Sequence, residues 1–311
     1  MRSRAYPGEM TTHHADRTPG HHSHSHSHSH SHSSRPGHGP ASDDAAELAD
    51  LAEILDLDAV LGAPVLAVAT DAVAAALGGA PRVAVDLGAG TGTGSLFLAD
   101  RFAGVRVHAL DASAGMLDRL RASSAAVDVD DRVEAHLVDL DGDWPAVVPR
   151  GVDLAWAALS LHHVTDAAQV LRQAFGVLRP GGVLVVTEFT GTTTFTPDDL
   201  GTGVEGLDAR LVGALAARGY PVTADWTAAL GEAGFAPVER HESALVASAA
   251  TAEGARYLAL HLARNRDLLE GDLSDDDVAA LDSAIAAVAA GASDLHHESG
   301  RAIWIAVRPA G

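Results

Sequence analysis

Neither lysine nor cysteine occurs among these 311 residues. Without cysteine there is no disulfide, zinc ribbon, iron–sulfur cluster or cysteine nucleophile. Without lysine there is no G-K-[ST] loop to cradle nucleotide phosphates. Aromatic residues make up only 4% of the chain, so alanine, valine and leucine must build the core from its 47% hydrophobic residues. No apolar run is long enough to span a bilayer, and no basic-then-apolar leader opens the chain. The expectation is a cytoplasmic protein with no membrane partner. Arginine-only basicity with abundant alanine reads as GC-rich bacterial coding.

Positive charge is also scarce. The formal net charge is −21, and the first forty residues hold four arginines against two acids, so the acidic excess lies beyond them. Nucleic-acid affinity rests on phosphate neutralisation, and a body this acidic excludes DNA or RNA as the expected partner.

Residues 1–41 read as a disordered, His/Ser-rich tail with almost nothing apolar to bury. Ten of the 18 histidines lie there. His21, His22, His24, His26, His28, His30 and His32 make an adventitious site for zinc, nickel or copper, or a plain solvated tail. Met10 offers an alternative start. From Ser42 the pattern turns helical: Ser42 can cap, Asp43 and Asp44 suit the dipole, and Leu48, Leu51 and Leu55 share a face. A second helix is expected from about Pro64 to the Gly78-Gly79 pair. Residues 42–80 therefore form a helical lid over a substrate, or simply pack on a sheet edge.

The chain is organised around Val83-Ala84-Val85-Asp86-Leu87-Gly88-Ala89-Gly90-Thr91-Gly92. A strand, a glycine turn and a helix N-terminus make a site for a polar cofactor. The dinucleotide fingerprint G-x-G-x-x-G needs glycine at 93, where Thr93 stands. A second strand ends at Asp111, 21 residues beyond Gly90, the separation at which a βαβ unit returns an acid to the loop. There it can take both ribose hydroxyls, or serve merely as the acid before the next helix. A third strand ends before Asp139-Leu140-Asp141. A fourth (Val152 to Ala158) leads into Leu161-His162-His163, a helix to Leu178, Arg179-Pro180-Gly181-Gly182 and an apolar strand Val183–Phe189. A sixth strand is expected over Phe235–Ser243 and a last over Ala302–Arg308. Two helices, Ala252–Leu269 and Ser274–Ala290, fall between them as an insertion. His241, His296 and His297 are expected on surface or loops.

The D-L-G-A-G-T-G loop, the D-x-S-x-x-M-L stretch from Asp111, and the L-H-H-V…L-R-P-G-G block together resemble class I S-adenosylmethionine-dependent methyltransferases over residues 81–190. The resemblance implies a Rossmann-like, doubly wound α/β domain over 81–311. Its sheet would be mostly parallel and seven-stranded, with helices on both faces and an antiparallel last strand. It also implies S-adenosylmethionine as methyl donor and S-adenosylhomocysteine as product. The cofactor contacts it implies are Asp86, Gly88, Ala89, Gly90, Thr91 and Gly92 in the loop. Further along they are Ala112 and Met116 at the adenine slot, Asp139 and Leu140 on the adenine edge, and Ala157. Asp141 competes with Asp139.

For a hydroxyl acceptor a base is needed, and His162 or His163 at the end of the fourth strand suits it, with Glu188 as a second candidate. The alternative is that these histidines pack against the cofactor loop or cap the next helix. A cytosine C5 enzyme is excluded by the missing cysteine. The expected acceptor is a small molecule with an O, N or C nucleophile, and the oligomeric state is open. The rivals are a nicotinamide oxidoreductase, a metal-handling protein using the tail, and a cofactor-binding fold that cyclises or decarboxylates.

Overall fold

A computed structural model describes residues 40–311, with side chains from residue 48; the His/Ser-rich segment, and with it the metal-tail expectation, lies outside the described residues. Two helices lead, α1 (Pro40–Leu61) and α2 (Ala63–Leu77). Strands and helices then alternate: β1 (Val83–Leu87), α3 (Thr93–Arg101), β2 (Arg106–Asp111), α4 (Ala114–Ala126), β3 (Val133–Leu137), β4 (Val152–Ala158), α5 (Ala167–Val177) and β5 (Leu178–Thr196). The chain closes with α6 (Leu207–Ala217), α7 (Thr227–Glu232), β6 (Val238–Ser248), α8 (Ala252–Leu268), α9 (Asp275–Ala289) and β7 (His296–Val307).

The seven strands form one sheet in the order β3-β2-β1-β4-β5-β7-β6. The first five pair in parallel, and β7 runs antiparallel to both β5 and β6. Parallel strands joined by helical crossovers must be covered on both faces, which explains the unbroken apolar runs of β4 from Leu154 to Ala158 and of β5 between Val183 and Val186. Alternation divides their side chains between two cores. One holds Leu87, Ala155, Ala157, Leu184, Val186 and Trp304 with α5 and α7. The other holds Ala84, Leu154, Trp156, Val183, Val185 and Ile303 under α2, α3 and α4.

Three strands differ from the sequence expectation in their limits. β5 runs on to Thr196, and β7 starts at His296 rather than Ala302. The threonine-rich stretch 190–194 lacks apolar residues and reads as loop. Threonine is nevertheless β-branched, and after a shift between Phe189 and Thr193 the ladder resumes with Thr193 opposite Ser299. β6 likewise begins three residues later and ends five later than expected. The extended strands carry a third core that packs Phe195, Leu211, Tyr257 and Leu281 with α6, α8 and α9. His296, His297 and His241 are thus strand residues and not loop. His297 is buried, stacks on Phe195 at 4.5 Å and places Nδ1 3.2 Å from the Thr194 carbonyl; burial pulls its pKa down to about 4. Among the described residues no single helix is long and apolar enough to cross a membrane.

Candidate active site

The carboxyl ends of β1, β2 and β4 open into a cavity of about 440 Å³, within the range of small-molecule sites. It lies where strand order reverses between β1 and β4, the place at which open α/β sheets bind ligands.

Two glycines of the loop are required by shape. Gly88 has φ +76°, and a Cβ there would lie 2.5 Å from the Ser160 side chain; Ser160 Oγ in turn donates to the Leu87 carbonyl at 2.6 Å. Gly92 has φ +89°, and a Cβ would lie 2.4 Å from Leu120. Gly92 therefore serves the packing of α4 against the loop and is absent from the cavity lining, unlike Gly88, Ala89, Gly90 and Thr91.

Asp111 ends β2 with both carboxylate oxygens engaged. Oδ2 accepts the Gly90 N–H at 2.8 Å and Oδ1 accepts the Ser113 N–H at 2.7 Å, so the acid fixes the loop and the start of α4 at once. Each oxygen retains lone-pair capacity toward the cavity, where Ala112 and Met116 lie beside it. Asp139 and Leu140 line the next stretch of wall, and Asp139 Oδ1 accepts the Asp141 N–H at 2.9 Å. Asp141, the competitor for the same role, accepts N–H groups of Thr165 and Asp166 at 2.9–3.0 Å, which hold its carboxyl below the usual range. Its lone pairs secure the start of α5.

Asp86 is buried at the base of the cavity, and Ser95 Oγ donates to its Oδ2 at 2.7 Å. Burial outweighs that hydrogen bond and pushes its pKa up to about 7. Three more polar atoms of the lining, Thr91 Oγ1, Trp156 Nε1 and Thr187 Oγ1, are buried without a hydrogen-bond partner among the described residues. Buried donors and acceptors left unpaired are costly, so the wall is built to meet polar groups of something else. Ala157 is not part of it. Strand alternation turns that residue into the opposite core, while its neighbours Trp156 and Ala158 face the cavity.

Of the three candidate bases, His163 alone lines the cavity. Leu159 takes φ +54° at the end of β4, unusual for a bulky residue, and redirects the chain into a 3₁₀ turn, Leu161–His163. Glu188 holds that turn from behind. Its Oε1 accepts the Leu161 N–H at 3.1 Å, and its Oε2 lies 2.7 Å from His162 Nδ1. The His162 ring packs on His163 with centroids 4.0 Å apart. Burial, then the His162 ring, lower the His163 pKa, leaving it a neutral imidazole near pH 7. Glu188 is only 1% exposed and does not reach the cavity.

The opposite wall was read in the sequence only as a helical lid over residues 42–80, without Thr187 or Arg301. Leu51, Leu55 and Asp58 of α1, Thr187 of β5 and Arg301 of β7 complete it. Arg301 is buried, donates from Nη2 to Asp58 Oδ2 at 2.9 Å and from Nη1 to Ser299 Oγ at 2.6 Å, and lies 4.4 Å over the Phe189 ring. A charge immediately preceding the apolar run Ala302–Val307 was the available signal.

Part of the chain is similar to known proteins. The methyltransferase domain family matches residues 85–184, from the interior of β1 into β5. This part of the chain is similar to a methyltransferase domain. Over 153 residues the chain is 35% identical to a trans-aconitate 2-methyltransferase of Methylobacterium radiotolerans, covering 49% of each chain. It is also 35% identical over 106 residues to a 27-O-demethylrifamycin SV methyltransferase of Amycolatopsis mediterranei, covering 34% of this chain and 38% of that one. The match thus spans half or less of these curated relatives. Among solved structures, the [4+2]-cyclase SpnF aligns over 78% of this chain and 81% of its own, at 22% identity and a TM-score of 0.44. So loose a likeness carries no argument about activity.

Proposed function

We propose that this protein moves a methyl group from S-adenosylmethionine to a small-molecule acceptor. The observation that carries the reading is Asp111, a carboxylate tied to the Gly90 and Ser113 amides and still open to the cavity. Asp111 would hold the ribose hydroxyls, with Met116, Asp139 and Leu140 around the adenine. Asp86, Gly88, Ala89, Gly90 and Thr91 would enclose the amino-acid end. The unpaired Thr91 hydroxyl and the buried Asp86 carboxyl fit that assignment, because a bound cationic amine would favour the ionised form that burial otherwise disfavours.

When bound, the cofactor supplies an electrophilic methyl on sulfonium, and the protein's task is alignment and exclusion of water. The second half of the cavity, between α1, Thr187, His163 and Arg301, would take the acceptor, with residues 42–80 acting as its lid. His163 is the base that would receive the acceptor proton on its neutral ring. Glu188 and His162 are positioning residues that hold the 3₁₀ turn. The acceptor is a metabolite and not a nucleic acid, in keeping with the acidity of the chain, and the proposed location is the cytoplasm.

Two substitutions separate binding from turnover. Asp111→Ala is expected to weaken S-adenosylhomocysteine binding by about 1–3 kcal/mol, read by calorimetry. His163→Ala is expected to leave that affinity within about twofold and, for an acceptor that must lose a proton, to lower kcat by about 10²–10⁴-fold. Unchanged affinity in the first variant would put the ribose elsewhere.

A further inference from the structure

On the other side of β2, away from the cavity, two adjacent strands present three metal-ligating groups to one another. His108 of β2 pairs directly with Glu134 of β3, and His136 follows two residues on, so all three side chains leave the same face of the sheet. His108 Nδ1 lies 3.1 Å from His136 Nε2. Glu134 reaches both rings, with Oε2 3.5 Å from His108 Nδ1 and Oε1 3.7 Å from His136 Nε2. The two imidazoles are largely buried, at 16% and 15% side-chain exposure, while the carboxylate is 67% exposed.

We propose that His108, His136 and Glu134 bind a divalent transition-metal ion of the zinc class. The argument is geometric. Two nitrogens bound tetrahedrally at about 2.0–2.1 Å from zinc stand roughly 3.3 Å apart; here the two ring nitrogens stand 3.1 Å apart, with one Glu134 oxygen 3.5 Å from the first and the other oxygen 3.7 Å from the second. In the absence of metal the two facing ring nitrogens must share one proton, since one has to donate and the other accept. A metal replaces that proton and satisfies both lone pairs. Imidazole and carboxylate donors suit zinc, nickel or copper better than calcium or magnesium. The exposure of Glu134 leaves a side open through which ion and water enter.

The placement gives the ion a structural task. His108 precedes Asp111 by three residues on β2, and His136 of β3 precedes Asp139, which lies just beyond that strand, by three. A metal bridging the two rings ties together the strands whose ends carry those acids, and it pins β3, the edge of the sheet.

The test uses the full chain, stripped with chelator and titrated with zinc while thermal unfolding is followed. The parent, Glu134→Gln and His136→Ala all keep the histidine–serine run at 21–32, so any metal taken up there is common to the three. At zinc about a hundredfold above the dissociation constant the parent melting temperature is expected to rise by roughly 5 °C. Glu134→Gln, on an exposed side chain, is expected to weaken zinc binding by about tenfold or more, and His136→Ala to abolish the rise. An equal rise in the parent and Glu134→Gln would assign all binding to the run and overturn the proposal, as would no rise in the parent. Should His136→Ala fail to fold, Glu134→Gln decides alone. Neither outcome depends on methyl transfer, so the cofactor reading stands or falls separately.

Discussion

Asp86 shows how a single buried group links cofactor binding to stability. Its carboxyl keeps its proton in the folded protein up to about pH 7, against 3.8 for an unperturbed aspartate. Between those values the folded state binds more protons than the unfolded chain, so this residue makes stability fall as pH rises from about 4 to 7, with no further loss above. Asp86→Asn keeps the shape and removes the titration. Urea midpoints measured across that range should fall less steeply with pH in the variant than in the parent. Parallel curves would mean that Asp86 ionises normally. Asp86 was legible in the sequence as an acid two residues before the first glycine; its protonation was not, because burial depends on α3 folding back over β1 with Ser95. Gly92 teaches the same lesson in reverse. It reads as a cofactor contact until Leu120, 28 positions away, is seen to occupy the space a Cβ would take.

At the scale of elements, α1 is attached to the rest of the fold by three ion pairs. Glu53 accepts from Nε and Nη2 of Arg256 of α8, each at 2.7 Å, Asp56 accepts from Arg119 of α4, and Asp58 accepts from Arg301 of β7. These are not equivalent. Arg256 and Glu53 are 50% and 36% exposed, whereas Arg301 and Asp58 are 3% and 21% exposed. Exposed pairs contribute little, and breaking a buried one leaves an uncompensated charge. Arg301→Met is therefore expected to cost about 3 kcal/mol in urea unfolding, and Arg256→Met less than about 1 kcal/mol. Equal losses would show that Arg301 is as well solvated as Arg256. None of this was visible in the sequence, because each pair joins residues far apart in the chain. The strands that meet local rules, β1, β2 and β4, were read with sound limits. β5, β6 and β7 were read short, because their distal halves owe their pairing to a core supplied by α6, α8 and α9.

Across the whole molecule the sheet order places Asp86, Asp111, Asp139 and His163 around one cavity, though they are spread over 78 positions of sequence. The glycine loop and the acids at the ends of the parallel strands were legible because each is fixed by its own strand–turn–helix unit. The far wall of the cavity was legible only as a helical lid, since α1, β5 and β7 reach it from distant parts of the chain. Ala157 was misplaced for a still simpler reason, one residue of strand alternation.

The central claim is that this cavity binds the methyl donor and not a dinucleotide. Calorimetry on the full chain with S-adenosylhomocysteine and with NADH, under one buffer, tests it most directly. The account predicts saturable one-to-one binding of S-adenosylhomocysteine and none of NADH at the same concentrations. Binding of NADH without S-adenosylhomocysteine would contradict it.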